Sequence, residues 1–261
     1  MIRKYSTLIM ILVLFTAPMY VNAMLEIHSA ASEGDVKTLK RLLGEKQSFS
    51  EKLSGYIGIS NAIDQDDGYG NTPLMFAVQF RKIRAVEFLV NRGADVDLKN
   101  KEETTALHIA VTQSNLASVN ILLKAGATQF DDIMGVTLLG KASMIGNEQI
   151  VSSLIKHGAR VNTSDDDGNT PLHLVFHQLA NDGSTSVVKL LIDNGAKINA
   201  KNKAGNTPLD YASSLSETNK SMVELLVRHG ARKNKEGESP WLYLEGKLYK
   251  RDTSKEKSES E

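Results

Sequence analysis

The feature that most constrains this chain of 261 residues is that it repeats itself. A Thr-x-Leu step recurs as Thr72-Pro73-Leu74, Thr105-Ala106-Leu107, Thr137-Leu138-Leu139, Thr170-Pro171-Leu172 and Thr207-Pro208-Leu209, at intervals of 33, 32, 33 and 37 residues. A second marker, Gly93-Ala94, Gly126-Ala127, Gly158-Ala159, Gly195-Ala196 and Gly230-Ala231, runs beside it at 33, 32, 37 and 35. Two independent markers with one period define an array of supersecondary units. No single unit carries enough apolar surface to fold alone, so neighbours must stack.

Each unit has a physical reading. Pro after Thr suits the first turn of a helix, where the missing N–H costs nothing and the Thr hydroxyl caps orphan donors. A short apolar helix follows, as in Leu74, Phe76, Ala77 and Val78, then a turn and a second helix such as Ala85-Val86-Glu87-Phe88-Leu89-Val90. Gly93 stops that helix in the left-handed conformation that glycine adopts cheaply. Links such as Asp165-Asp166-Asp167-Gly168-Asn169 are rich in turn formers.

This pattern resembles the ankyrin repeat family. Its T-P-L-H and G-A-x-x-N signatures are fullest in Asp167-Gly168-Asn169-Thr170-Pro171-Leu172-His173 and Gly195-Ala196-Lys197-Ile198-Asn199. The resemblance covers about Leu25 to Lys233 and implies an all-α repeat fold: an ankyrin solenoid of helix-turn-helix units with β-hairpin-like turns, in about six repeats. Five clear repeats are expected at about 67–100, 101–132, 133–166, 167–202 and 203–234. Residues 24–66 form a degenerate capping repeat with an expanded linker from Glu45 to Asp66. The fourth repeat replaces T-P-L-H with Thr137-Leu138-Leu139-Gly140; insertions at Ala180–Thr185 and Leu215–Asn219 are expected in loops. Residues 235–249 are expected to cap the last repeat, and 250–261 to form a disordered charged tail.

Residues 1–23 have the pattern of a secretory signal: Arg3 and Lys4, an apolar run from Leu8 to Phe15, and Val21-Asn22-Ala23 at the cleavage end. The run is shorter than the roughly 20 residues that span a bilayer, so stable membrane insertion is not expected after cleavage. The mature chain would start at Met24. The 31 Lys+Arg and 31 Asp+Glu of the whole chain balance, and without Arg3 and Lys4 the charge becomes −2. A field that gathers nucleic acid is therefore absent. With no cysteine, disulfides, thiolate metal sites and Cys nucleophiles are excluded.

Chemistry has little purchase in the sequence. His173 and His177 lie four apart, but the resemblance implies a hydrogen-bonding role for His173, and further ligands are not evident. Thr163-x-Asp165-x-Asp167-Gly168 differs from a calcium loop, with Leu174 where a bidentate acid belongs, and reads as a solvated turn. Nucleophile-elbow, zinc-protease and phosphate-loop motifs are not found in the contexts they need. No enzyme, metal or cofactor is expected. Of the two sequons, Asn162-Thr163-Ser164 places Asn162 at the structural G-A-x-x-N position; the other is Asn219-Lys220-Ser221.

The resemblance implies that ligands are gripped by turn tips and the exposed side of each first helix. In the second unit these positions include Tyr69 and Phe80, in the fifth His177. In the fourth all five are apolar: Ile133, Met134, Val136, Met144 and Ile145. Such a cluster marks a protein interface, or else a shifted repeat that buries these residues against its neighbours. The expected function is an exported, monomeric protein-binding module in the periplasm or extracellular space, of inhibitor, immunity or host-directed type. The alternative is a structural scaffold for an envelope enzyme or complex.

Overall fold

The structure is a computed structural model that describes residues 25–43, 62–128, 136–176, 183–214, 220–232, 241–244 and 247–250. It divides into two compact units, residues 1–129 and 130–261. The expected leader at 1–23 lies outside the described residues, as does the tail expected at 250–261 except for Lys250, which belongs to a strand.

In the N-terminal unit, helix α1 spans residues 25–33 and α2 spans Val36–Leu43, followed by a 3-10 turn at Ala62–Asp64. Then come the pairs α3 (Pro73–Gln79) with α4 (Ile83–Asn91) and α5 (Ala106–Thr112) with α6 (Leu116–Lys124). Thr72 is extended, at ψ 162°, and its Oγ1 accepts the Met75 N–H at 3.3 Å, while Pro73 occupies the first turn. That start aims Leu74, Met75, Ala77 and Val78 inward, where Ala85, Val86 and Leu89 of α4 are also buried. Helix α3 packs on α5 and α4 on α6, so each repeat completes the core of the last. Complete burial of each leucine contributes about 1.5–3 kcal/mol.

The C-terminal unit contains α7 (Leu138–Ile145), α8 (Glu148–Lys156), α9 (Pro171–Leu174), α10 (Gly183–Asp193), α11 (Pro208–Ser214) and α12 (Lys220–Arg228). The degenerate motif still starts its helix, because Thr137 Oγ1 accepts the Gly140 N–H at 3.1 Å. Gly140 stands where the motif histidine would be. A Cβ there would lie 2.7 Å from Leu174 Cδ1, so the glycine admits a leucine of the following repeat. Of the expected insertion Ala180–Thr185, residues 180–182 lie outside the described residues and Gly183 already begins α10. Helix α10 buries Val187, Val188 and Leu191.

The helical repeat fold is thus present in both units. One addition to the all-α expectation is an antiparallel pair, β1 (Trp241–Leu244) and β2 (Lys247–Lys250), with Trp241 opposite Lys250 and Leu244 opposite Lys247. The alternating Leu and aromatic residues of Trp241-Leu242-Tyr243-Leu244 favour a strand over a helix. Strand β1 lies beside α12.

Candidate partner-binding surface

The turn tips are built by short-range hydrogen bonds. Asp67 Oδ1 accepts the N–H groups of Tyr69 (2.9 Å) and Asn71 (3.0 Å), and the Asn71 amide donates to Asp67 Oδ2 at 3.0 Å. Burial works against ionisation, yet these bonds hold the Asp67 carboxyl below the usual carboxylate range. Asn100 does the same for Glu102 and Thr104, Asp165 for Asp167 and Asn169. The tips are then joined: Lys101 N–H donates to Tyr69 O at 3.0 Å and Lys203 N–H to Asp167 O at 2.9 Å. This close approach requires glycine; a Cβ on Gly70 (φ 86°) would sit 2.7 Å from Asn100 Cα. A signal for these tips was legible: an Asp or Asn five residues before every motif Thr, namely Asp67, Asn100, Asp132, Asp165 and Asn202.

A second ladder runs through the G-A-x-x-N position. Asn162 Oδ1 accepts the Lys197 N–H at 2.8 Å and its amide donates to Gly195 O at 2.9 Å. Asn199 repeats this with Arg232 and Gly230. Asp97 accepts the Thr128 N–H, and its other oxygen accepts the Thr128 hydroxyl at 2.7 Å. Asp64, which the sequence reading placed in the expanded linker, belongs to this ladder, because its Oδ1 accepts the Asp95 N–H at 2.9 Å. Burial pushes the Asp64 carboxyl above the usual range against that bond, and the Asp95 charge adds to the rise.

Two buried histidines, His28 of the first repeat and the motif residue His173, fasten one repeat to the next. His28 Nε2 lies 3.1 Å from Asn71 O and His173 Nε2 3.2 Å from Asn206 O. His173 Nδ1 accepts the Thr170 N–H at 3.1 Å, so Nε2 carries the proton and donates. Burial lowers the His173 pKa against the pull of the Asn206 carbonyl and the charges of Asp165 and Asp210. With both nitrogens engaged, His173 has none left for a metal. Asp165 is likewise committed to its turn.

The positions expected to meet a partner are distributed over both units. In the N-terminal unit, Tyr69 is 71% and Phe80 53% exposed. In the C-terminal unit, Val136, Met144 and Ile145 are half-buried, between the interface and core alternatives. Ile133, Met134 and His177 lie outside the described residues. Lys101 Nζ sits 5.6 Å over the Tyr69 ring. Phe80 stacks on Phe76 (6.5 Å, 8°), which meets His28 edge-on at 5.2 Å. Gln113 Nε2 donates to Gln79 O at 2.9 Å and the Arg81 guanidinium to Gln113 O, which tie the exposed ends of the second and third repeats together.

Stacked helix pairs, hydrogen-bonded tips and exposed aromatic side chains define a repeat protein of the protein-binding class. Family models of ankyrin repeats match residues 27–132 (three copies), 154–212 (many copies) and 204–237 (a single repeat). The chain belongs to the ankyrin repeat family. It is similar to inversin of Gallus gallus, 32% identical over 143 residues that make up 54% of this chain and 12% of that protein. Human transient receptor potential cation channel subfamily A member 1 is 29% identical over 149 residues, 56% of this chain and 12% of the channel protein. The chain therefore spans about an eighth of the length of either relative. Among solved structures, an ankyrin repeat domain from Acinetobacter baumannii superposes with a TM-score of 0.67 at 28% identity, covering 79% of this chain and 98% of that one. A chain from the complex of a predatory endopeptidase of Bdellovibrio bacteriovorus with an immunity protein gives 0.60 at 28% identity, covering 78% and 97%. Among the described residues, no helix is long and apolar enough to cross a membrane.

Proposed function

We propose that this protein is an exported binding module whose ankyrin array engages another protein in the periplasm or extracellular space. The observation that carries the reading is the exposure of Tyr69 and Phe80 at a turn tip and a first-helix end, in an array whose motif leucines Leu74, Leu107, Leu139, Leu172 and Leu209 are buried. Aromatic side chains left in water on a rigid scaffold are what an interface uses as anchors. Export rests on the pattern of Arg3, Lys4, Leu8 to Phe15 and Val21-Asn22-Ala23. An array without cysteine folds in an oxidising space by packing and hydrogen bonding alone. The likeness to a chain from a structure containing an endopeptidase and an immunity protein supports an inhibitory or protective role, in which a monomer occupies one partner. The reading involves no catalytic step, cofactor or nucleic acid.

The test is affinity capture from an envelope fraction with the chain starting at Met24, beside the Tyr69→Ala/Phe80→Ala variant, together with N-terminal sequencing of the exported protein. A partner held by the wild type and lost by the variant, with a mature terminus at Met24, supports the proposal. Equal capture by both, or an uncleaved protein confined to the cytoplasm, refutes it.

A further inference from the structure

We propose that the Phe80 end of the second repeat receives a partner segment in which an apolar side chain is flanked by carboxylates. Phe80 would be its anchor and the Arg81 and Arg84 guanidiniums its counter-charges. This rests on the protein-binding reading and adds the chemistry of the bound segment.

The Phe80 ring has an aromatic neighbour before anything binds. Its N–H donates to Phe76 O at 3.0 Å, and its exposed ring runs parallel to that of Phe76, offset with centroids 6.5 Å apart, while His28 meets Phe76 edge-on. A ring with such a neighbour has less freedom to lose on binding. Two of the charges beside it, Lys82 and Arg84, do not support the helix they introduce. Helix α4 is preceded at its cap position by Lys82, which makes no side-chain cap, and its first turn contains Arg84 and no acid. Cations at that end oppose the helix dipole. The corresponding starts in the third and fourth repeats have Asn115 and Asn147, whose side chains cap Ser118 and Ile150 N–H groups, and Glu148 follows Asn147.

The second repeat thus gives up a cap for positive charge next to an exposed aromatic ring. That charge is largely uncompensated. The Lys82 methylenes lie against Gly34 of the first repeat, but the Arg81 guanidinium donates to the neutral Gln113 carbonyl, and Arg84 is exposed and outside the described ion pairs. Of the nearby acids, Asp35 is committed to the Thr38 N–H, and exposed Glu87 is one turn along α4.

The test is fluorescence anisotropy of the mature chain with two labelled hexapeptides, Asp-Glu-Leu-Phe-Asp-Glu and its amide counterpart Asn-Gln-Leu-Phe-Asn-Gln. The acidic peptide should bind at least about tenfold tighter, and the preference should fade as salt shortens the Debye length to a few ångströms. Phe80→Ala should weaken both peptides. Arg84→Gln should weaken the preference while leaving the circular dichroism and unfolding midpoint intact, and Arg81→Gln/Arg84→Gln should remove it with the circular dichroism retained, at the cost of the Arg81 bond to Gln113 O. Equal affinity for the two peptides, no binding of either, or a preference that survives the Arg substitutions overturns the proposal. A DNA duplex that binds more tightly than the acidic peptide and is lost on the same substitutions also overturns it, by assigning the cations to phosphate. The two readings fail separately. Envelope capture that depends on Phe80 but not on the arginines defeats only the acidic segment, and no partner at all defeats the binding module.

Discussion

Replacing Asp64 with Asn should stabilise the N-terminal unit. Asp64 Oδ1 already accepts the Asp95 N–H at 2.9 Å, a bond that an amide oxygen would keep. At the same ladder position Asn162 and Asn199 also donate, to the carbonyls of Gly195 and Gly230 at 2.9 and 3.0 Å. The carbonyl in register with Asp64 is that of Gly93, which an ionised carboxylate repels and an amide would bond. One added hydrogen bond contributes about 1 kcal/mol. The pH dependence supplies the sharper check. Because burial raises the folded pKa of Asp64 above its ordinary 3.8, its contribution to stability is fully present below 3.8 and lost as pH rises through the folded value. Urea unfolding followed by circular dichroism should therefore show a gain of about 1 kcal/mol for Asp64→Asn at pH 7, shrinking as pH falls toward 4 and the wild-type carboxyl takes up its proton. Asp97→Asn is the control, since the second oxygen of Asp97 already accepts the Thr128 hydroxyl, and it should gain less. A neutral or destabilising Asp64→Asn at pH 7, or a gain unchanged at pH 4, refutes the reasoning.

Three other outcomes are expected. The folded pKa of His173 is lowered from 6.5, so its contribution is present above 6.5 and lost as pH falls through the folded value; an NMR titration of its ring should show a midpoint below 6.5, and His173→Gln should flatten that part of the stability profile. Gly140→Ala would gain up to about 1 kcal/mol in an open helix, but the 2.7 Å approach of Leu174 Cδ1 should turn this into a net loss of about 1 kcal/mol in thermal unfolding. Met144→Asp/Ile145→Asp should weaken partner binding about tenfold, or 1.4 kcal/mol, with cooperative unfolding retained; loss of the fold would place those side chains in the core.

The repeat architecture was legible because its determinants are local. A Thr that caps, a Pro in the first turn and a Gly that stops the second helix all act within a few residues, so one unit shows them as well as six. What escaped the sequence reading acts between units. Asp64 lies in a stretch without a Gly-Ala stop, and only its bond to Asp95 reveals that it occupies the ladder position held by Asn162 and Asn199. Gly140 looks like a motif lost, whereas Leu174 shows that the histidine's volume has passed to the next repeat. The half-burial of Met144 and Ile145 likewise depends on what stands beside them.

The same division explains where specificity can reside. Turn carboxylates, motif histidines and ladder amides are consumed in joining repeats, and changing any of them costs stability before it changes binding. Freedom to vary is left at side chains that leave the ladder, such as Tyr69, Phe80 and Arg84. The start of α4 is the clearest case, because its Lys82 and Arg84 forgo the capping that Asn115 and Asn147 provide elsewhere. A helix start that forgoes its cap while an exposed ring and the Arg84 guanidinium stand beside it is accounted for by what it binds.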